Sequence, residues 1–225
     1  MESELLAAAE AGDLAEVERL LAQGINPDAK DQEGLTALMK TCLKGHAEIA
    51  KVLVAKGADV HARDNYGWTA LLWASSVGQA EEVKLLLSHG ADTEVTDQYG
   101  ATALMKAARR RYPEVMKLLV KSGANVNAND GLGRTALMRA ARRGYSDVAK
   151  LLLDNGADTE AKDEYGATSL IISASEGHLD TVKELLGAKA NIHAKDKNGW
   201  TPWLWAFSAG HAEVVKLLKA HGAEY

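Results

Sequence analysis

Apolar residues recur along this chain in short groups with helical spacing, and glycines and polar turns separate the groups. In the segment 130–162, Leu137 and Ala141 are four residues apart and fall on one face of a first helix. Val148 and Leu152 place a similar apolar stripe on a second helix. Because one such pair has apolar surface on two sides, it cannot bury that surface alone. The pattern therefore predicts helix pairs that are stabilised mainly by packing against neighbouring pairs.

Polar residues and glycines mark the ends of these helices at regular places. Asp130 and Gly133 are typical of a tight turn. Thr135 stands where the N-cap of the first helix is expected, since its hydroxyl can accept a free amide of the first turn. Gly144 and Gly156 end the two helices, because glycine adopts the left-handed conformation most easily. Each unit is thus predicted to be a turn, a helix, a tight loop, a second helix and a return loop.

This unit recurs with a period of 33 residues, without insertion or deletion, through the whole chain. The copies begin at Asp31, Asp64, Asp97, Asp130, Asp163 and Asp196. We therefore predict a single repeat domain over 1–225, in which stacking of the units creates one continuous core. Its predicted parts are an N-terminal capping repeat at 1–30, full repeats at 31–63, 64–96, 97–129, 130–162 and 163–195, and a C-terminal capping repeat at 196–225.

The motif D-x-x-G-x-T-[AP]-L, followed by G-A-D/N near the end of each unit, resembles the ankyrin repeat. The resemblance covers essentially the whole chain. It implies an all-α ankyrin-repeat solenoid, an α-α superhelix of helix-loop-helix units with projecting β-turns. It also implies that protein partners bind the concave side, at the turn tips and the outward side of the first helices.

A few positions depart from this pattern. Arg111 replaces the glycine between two helices, and a positive φ there would store strain of about 1 kcal/mol. Lys189 replaces the glycine after a second helix, and we expect that helix to end early or irregularly, because Gly187 precedes it. Phe207 fills a slot that holds a small residue such as Cys42 in the other copies. Since that slot faces the next repeat, we expect the array to end there with an apolar face that permits dimerisation.

Basic residues are concentrated in the middle of an otherwise acidic chain. The net charge is −5, which argues against broad affinity for nucleic acid or anionic membranes. Residues 97–129 nonetheless contain six basic and two acidic side chains. Stacking would bring the pair Arg109 and Arg110 beside the corresponding arginines of the next copy, and a partner with carboxylates or phosphates would relieve their repulsion. The basic residues predicted to contact such a partner are Lys106, Arg109, Arg110, Arg134, Arg139, Arg142 and Arg143.

Aromatic residues are the second feature of the predicted binding surface, because tyrosine and tryptophan are enriched with arginine at binding hot spots. The position nine residues after each turn aspartate varies widely, which indicates exposure to solvent. That position holds Lys40, Trp73, Lys106, Arg139, Ile172 and Trp205. The predicted aromatic contacts are Tyr66, Trp68, Trp73, Tyr99, Tyr165, Trp200 and Trp205. An alternative for Trp73 and Trp205 is that they cover the joints between repeats.

The sequence contains no pattern typical of a catalytic, metal or cofactor site. The histidines fall at fixed repeat positions, as His46, His178 and His211 do after the glycine between helices, rather than in a cluster of zinc ligands. Cys42 lies in a small-residue core slot, which favours an inert thiol. No phosphate-binding loop with Gly-Lys-Ser/Thr occurs. We therefore expect no enzyme activity, no metal and no cofactor.

These features favour a protein-interaction module that binds an acidic or phosphorylated peptide or protein surface on its concave, Arg- and aromatic-rich face, within 64–145. The main alternative is a structural or engineered-type repeat scaffold without a cognate partner, self-associating through its C-terminal end. Nucleic-acid binding through the basic strip is a third, less favoured interpretation. A monomer is expected, although the C-terminal repeat permits a dimer. A single cysteine, no secretory signal and no apolar run of bilayer length predict the cytoplasm or another reducing intracellular compartment, without membrane contact.

Overall fold

A computed structural model describes residues 1–223, so the last two residues of the predicted C-terminal capping repeat lie outside it. Within that range the chain forms helices in consecutive pairs. In chain order they are α1 (Glu2–Ala11), α2 (Leu14–Ala22), α3 (Ala37–Lys44), α4 (Ala47–Ala55), α5 (Ala70–Val77), α6 (Ala80–Ser88), α7 (Ala103–Arg110), α8 (Pro113–Lys121), α9 (Ala136–Arg143), α10 (Ser146–Asp154), α11 (Ser169–Ser175), α12 (Leu179–Gly187), α13 (Pro202–Ser208) and α14 (Ala212–Ala220). None of these helices is both long enough and apolar enough to cross a membrane.

The chain divides into two compact units that are built in the same way. The first unit, Met1–Ala124, packs α1, α3, α5 and α7 side by side, and α2, α4, α6 and α8 form its other row. The second unit begins at Asn125 and packs α9, α11 and α13 side by side, with α10, α12 and α14 in the other row. Buried leucines such as Leu71 and Leu170 belong to the two cores. The all-α, repeat-built solenoid fold predicted from the sequence is therefore confirmed.

From α3 onward, each first helix begins at the threonine that the repeat pattern assigns to its N-cap. The Thr135 hydroxyl, for example, accepts the Met138 amide over 3.3 Å, which satisfies one of the free donors of the first turn. Gly144 follows α9 with a φ of 69°, a left-handed conformation that glycine adopts without a Cβ clash. The predicted start and end signals of these helices are confirmed.

Arg111 and Lys189 adopt the left-handed backbone conformation that glycine holds at the same places in other repeats. Arg111 has a φ of 61°, the positive value at which strain of its backbone is expected. Lys189 has a φ of 64°, yet α12 ends at Gly187, in the same place as the other second helices. The Lys189 amide donates to the Leu186 carbonyl over 2.9 Å, and this capping bond fixes the backbone in spite of the side chain. The expectation that α12 ends early or irregularly is therefore wrong.

The small-residue slot of the first helices is buried in the earlier repeats and open in the last. Cys42, Ala108 and Ala174 are fully buried in this slot. Phe207 in the same slot of α13 is 63% exposed, and its ring stacks on that of Trp203 with centroids 5.0 Å apart. An apolar aromatic surface thus remains uncovered on α13.

Candidate binding surface at the repeat turns

The turns that begin the repeats are held by one oxygen of their first aspartate. Asp163 Oδ1 accepts the amides of Tyr165 and Ala167, both over 2.9 Å. Gly166 donates its amide to the Asp163 carbonyl over 2.8 Å, and its φ of 76° lets the chain reverse direction. The same two side-chain bonds hold the turns that begin at Asp31, Asp64, Asp97, Asp130 and Asp196.

The second oxygen of most of these aspartates is bonded by the residue nine positions later, here called the ninth position. That residue lies on the first helix of the same repeat and folds back onto the turn. The contacts are Lys40 Nζ to Asp31 Oδ2 at 2.9 Å, Trp73 Nε1 to Asp64 Oδ2 at 2.9 Å, Lys106 Nζ to Asp97 Oδ2 at 2.6 Å, Arg139 Nη2 to Asp130 Oδ2 at 2.6 Å and Trp205 Nε1 to Asp196 Oδ2 at 2.9 Å. As a result, the Lys106 side chain is only 14% exposed. The prediction that the ninth position faces solvent is therefore wrong, because the carboxylate binds these donors.

Turn carboxylates that meet a lysine or an arginine form partly buried ion pairs. Burial would raise the pKa of Asp97, but the hydrogen bonds from Lys106 and the turn amides hold that pKa below its ordinary value. At Asp130, burial is likewise outweighed by hydrogen bonds from the turn amides and from Arg134 and by the Arg139 charge, and the pKa is lowered. Arg134 Nε lies 2.9 Å from Asp130 Oδ2. Lys106, Arg134 and Arg139 thus bind the turns of their own repeats.

The turn at Asp163 differs from the others. Its ninth position is Ile172, which is buried and has no hydrogen-bond donor in its side chain. Among residues 1–223 no donor bonds Asp163 Oδ2, although Asp163 is only 7% exposed. A cavity of about 370 Å³ lies beside it. The lining includes Arg142, Asp163, Tyr165, Ile172, Ser175 and Trp205.

In the first unit, aromatic side chains surround the turns. Tyr66 and Tyr99 are exposed at the turn tips, as predicted. The rings of Trp68 and Trp73 lie 4.4 Å apart between centroids. Lys106 Nζ lies 3.8 Å from the centroid of the Trp68 ring, so this ammonium group contacts a π face as well as a carboxylate. The structure thus brings Trp68, Trp73 and Lys106 together.

In the second unit, Tyr165 is exposed at a turn tip and lines the cavity beside Asp163. The rings of Trp200 and Trp205 lie 4.8 Å apart, and the Trp205 indole is bonded to Asp196. Trp205 is half-buried and forms another part of the cavity lining. The aromatic residues predicted here therefore include both tip residues and residues tied to their own turns.

The remaining predicted arginines are exposed at the ends of first helices. Arg109 and Arg110 occupy the last turn of α7, and no salt bridge to another described residue involves them. Arg142 and Arg143 occupy the same place at the end of α9. Arg142 Nη1 lies 3.8 Å from a carboxylate oxygen of Glu176, a long and exposed contact. These four guanidinium groups thus differ from the bound Arg134 and Arg139.

Histidine and cysteine serve the packing of the repeats. His46 Nε2 contacts the carbonyl oxygen of Glu10 over 3.2 Å, and His211 Nε2 contacts that of Ser175 over 3.0 Å, so each links neighbouring repeats. Burial raises the pKa of the Cys42 thiol, which disfavours a reactive thiolate. Within residues 1–223, no three His, Cys, Asp or Glu side chains come together to hold a metal ion.

We call the turn at Asp163 open, because no described residue of its own repeat bonds its second carboxylate oxygen, and we call the other turns closed. In the sequence, the open turn can be recognised only by its residue at the ninth position. Ile172 is the only aliphatic residue at the ninth position, where the other copies hold Lys, Arg or Trp. The shared property of those three types is a side-chain N–H donor. Asp163 and Ile172 were not among the predicted binding residues, because periodicity does not show that the ninth position reaches the turn carboxylate.

A comparison with known proteins relates this architecture to a protein family. The family model described as Ankyrin repeats (3 copies) matches residues 5–97, 78–163 and 158–225. No curated protein sequence was matched. The matched ranges cover nearly the whole chain and agree with the 33-residue period, the capped helix pairs and the aspartate turns. The chain therefore belongs to the ankyrin-repeat family.

Proposed function

We propose that this chain binds an acidic or phosphorylated peptide or protein surface through the turns and first helices of its repeats. Ankyrin repeats generally act as protein–protein interaction modules, and this role is typically not enzymatic. The observation that carries the choice of an acidic partner is the exposure of two arginines at the end of α7 and two at the end of α9.

The choice of an acidic partner is supported by a difference between two sets of basic groups, those that already contact a turn carboxylate and those that do not. Lys106, Arg134 and Arg139 already contact turn carboxylates, so a partner gains little from their charge. The arginines at the helix ends keep most of their N–H donors free. A guanidinium group binds a carboxylate or a phosphate with two parallel hydrogen bonds. The proposed anion contacts are Arg109, Arg110, Arg142 and Arg143.

Exposed aromatic residues supply the apolar part of the proposed contact. Tyr66, Tyr99 and Tyr165 each present an exposed ring at a turn tip. Tyrosine offers a large rigid surface and a hydroxyl, and few rotatable bonds are fixed when it binds. We expect these rings to pack on apolar or aromatic side chains that flank the acidic groups of the partner.

A peptide-display selection tests the proposal. A library with random acidic, phosphorylated and aromatic positions is selected on the unmodified protein and on a variant with Arg109, Arg110, Arg142 and Arg143 changed to Glu. The matched control changes Lys84, Lys117, Lys150 and Lys183 to Glu. These lysines are exposed on second helices, two in each unit, and their change alters the net charge equally.

The proposal requires that acidic or phosphorylated peptides enrich on the unmodified protein and on the lysine variant, and vanish on the arginine variant. Their affinity should fall as salt rises, because exposed charges are screened. Equal enrichment on all three proteins, or none on any, would contradict the proposal. Binding of oligonucleotides at low salt, lost in the arginine variant, would instead favour a nucleic-acid partner.

The exposed aromatic surface on α13 favours a second candidate function, self-association with another copy of the chain. Phe207 is largely exposed, and a cavity of about 440 Å³ beside it is lined by Phe207, Gly210, Ala212, Val215, Lys216 and Lys219. Sedimentation of the unmodified protein and of Phe207→Ser tests it. A dimer that dissociates in the variant supports self-association, and a monomer at all concentrations excludes it.

A further inference from the structure

The cavity beside Asp163 is lined by a carboxylate that has one oxygen without a bonded donor among the described residues. Asp163 is more than nine-tenths buried, and both of its turn bonds use Oδ1. Oδ2 therefore remains available as an acceptor for a group that enters the cavity. Because that oxygen accepts no hydrogen bond from the described residues, a cationic group that enters the cavity can bond it directly.

The cavity exists because two side chains of this repeat are short. Ala167 and Ile172 both line it, and neither reaches the carboxylate with a polar atom. The repeat 97–129 provides a matched case, because it has Ala101 in the place of Ala167. There Lys106 at the ninth position fills the space and bonds the carboxylate of its turn. The replacement of a lysine by an isoleucine thus accounts for the cavity.

The first unit shows which group fits such a space. Lys106 Nζ lies 2.6 Å from Asp97 Oδ2 and 3.8 Å from the centroid of the Trp68 ring. A cation is therefore held between a carboxylate and an aromatic face. The cavity at Asp163 offers the same two elements, since the rings of Tyr165 and Trp205 line it.

The charges of the other groups around the cavity sum to a value that favours a cation over an anion. Arg142 also lines the cavity, and its Nη1 lies 3.8 Å from a carboxylate oxygen of Glu176. Asp196 also lines the cavity, and its Oδ2 is occupied by the Trp205 indole, a neutral donor, so its negative charge remains. Two carboxylates thus face one guanidinium group that has a carboxylate of its own.

We propose that this cavity binds a lysine or arginine side chain of a partner protein, with its charged end at Asp163 Oδ2 and its stem along Ile172. The ring of Trp205 or Tyr165 covers the cation, as Trp68 covers Lys106. The inference goes beyond the acidic partner proposed above, because it needs a group of opposite charge and does not use the arginines at the helix ends as contacts.

Titration with small probes, followed by NMR, tests the site on the full chain. The cationic probes are Nα-acetyl-argininamide and Nα-acetyl-lysinamide. The matched neutral probes are Nα-acetyl-citrullinamide, which keeps the planar shape of arginine but has a carbonyl oxygen in place of one terminal NH2 group, and Nα-acetyl-norleucinamide. Signals of the Trp205 indole and the Ile172 methyl groups report on the cavity. We expect saturable shifts with both cations and binding at least about tenfold weaker with citrulline, because the ionic part of the hydrogen bond is lost.

Two variants assign the binding to this cavity. Ile172→Lys places a lysine where Lys106 stands in the earlier repeat, and it should abolish probe binding by closing the cavity from within. Ile172→Leu keeps the apolar wall and should bind the cations nearly as well as the unmodified protein. Asp163→Asn keeps an oxygen for the turn amides but removes the charge, so the cations should bind at least about tenfold more weakly.

The proposal fails if the cationic probes give no saturable shifts at millimolar concentration. It also fails if citrulline binds as well as arginine, since the oxygen would then accept any donor. Undiminished binding by folded Ile172→Lys and Asp163→Asn would place the cation elsewhere and overturn it. Changing Arg109 and Arg143 to Glu tests the acidic-partner proposal and should leave these shifts in place, so the two proposals can fail separately.

Discussion

The turns at Asp130 and Asp163, both in the second unit, have the same backbone and opposite side-chain chemistry. In each, Oδ1 accepts the amides two and four residues later. At Asp130 the second oxygen is bonded by Arg139 at 2.6 Å and by Arg134 at 2.9 Å. At Asp163 the ninth position is Ile172, and a cavity replaces the donor.

The difference shows that one oxygen of the aspartate builds the fold while the other is free to vary. The ninth position determines whether the second oxygen is occupied from within the repeat or left for a partner. A closed turn adds a hydrogen bond to its repeat, and an ion pair where the donor is lysine or arginine, whereas the open turn lacks that bond and has a cavity beside it. Repeats of this chain thus differ in the chemistry of their turns at one position while the turn backbone stays the same.

The largest expected effect on stability comes from replacing Asp130 and Asp163 with alanine, one at a time. Asp130→Ala should cost about 3 kcal/mol of unfolding free energy, because the turn bonds are lost and two partly buried arginines lose their anion. Asp163→Ala loses the same turn bonds but no ion pair, so it should cost only about 1 kcal/mol. Urea denaturation measures both. Equal losses would contradict the distinction between closed and open turns.

A carboxylate with a fully buried oxygen that lacks a partner within residues 1–223 should behave differently, and Glu82 is such a group. It lies in α6 at a place where α10 has the buried Val148, and its Oε1 has no hydrogen-bond partner among the described residues. Burial raises its pKa, so the folded state disfavours its ionised form. Glu82→Val should therefore raise the stability at pH 7 by about 2 kcal/mol.

The pH dependence gives the control for this substitution. Because the pKa of Glu82 is raised on folding, the unmodified protein loses stability as pH rises from about 4.3, the unfolded value, through the folded pKa. The gain from Glu82→Val should shrink as pH falls towards that lower value. Thr181, at the same place in α12, also has a buried oxygen without a partner. Thr181→Val should stabilise the protein without this pH dependence. If the gain from Glu82→Val were also independent of pH, ionisation of Glu82 would not be its cause.

A smaller effect is expected when a closed turn loses its cation. Lys106→Met should cost about 1.5 kcal/mol at neutral pH, since a charge-assisted hydrogen bond to Asp97 is lost. The pKa of Asp97 is lowered on folding, so its contribution is complete above the unfolded value of about 3.9 and disappears as pH falls through the folded pKa. Unfolding curves at several pH values should therefore converge for the two proteins in acid. A gap that persists there would indicate lost packing rather than a lost ion pair.

The smallest expected effect concerns the backbone of the same repeat that carries the open turn. Lys189 is exposed with a φ of 64°, which costs a non-glycine residue energy. Lys189→Gly should stabilise by about 0.5 kcal/mol, because the relieved strain is partly offset by the greater freedom of glycine in the unfolded chain. A rise in the melting temperature checks this, and a fall would show that the left-handed lysine is not strained.

The sequence predicts the fold well because the fold depends on local signals that repeat. Thr135 and Gly144 mark helix ends by their own chemistry, and 33-residue spacing places each copy. The binding surface was predicted less well, since Lys106 and Arg139 look like free charges until their path to the turn carboxylate is known. The expectation that α12 ends irregularly at Lys189 was wrong for a related reason. Capping bonds hold the backbone in a conformation that the side chain alone disfavours.

The most direct test is to open a closed turn by changing its ninth residue alone. Lys106→Ile gives the turn at Asp97 the same residue that Ile172 supplies at the open turn, with Ala101 already small and Trp68 close by. Titration of this variant with Nα-acetyl-argininamide, followed by NMR of the Trp68 indole, should show saturable shifts that the unmodified protein lacks. A folded variant whose Trp68 signal does not respond would contradict the role assigned to the ninth position.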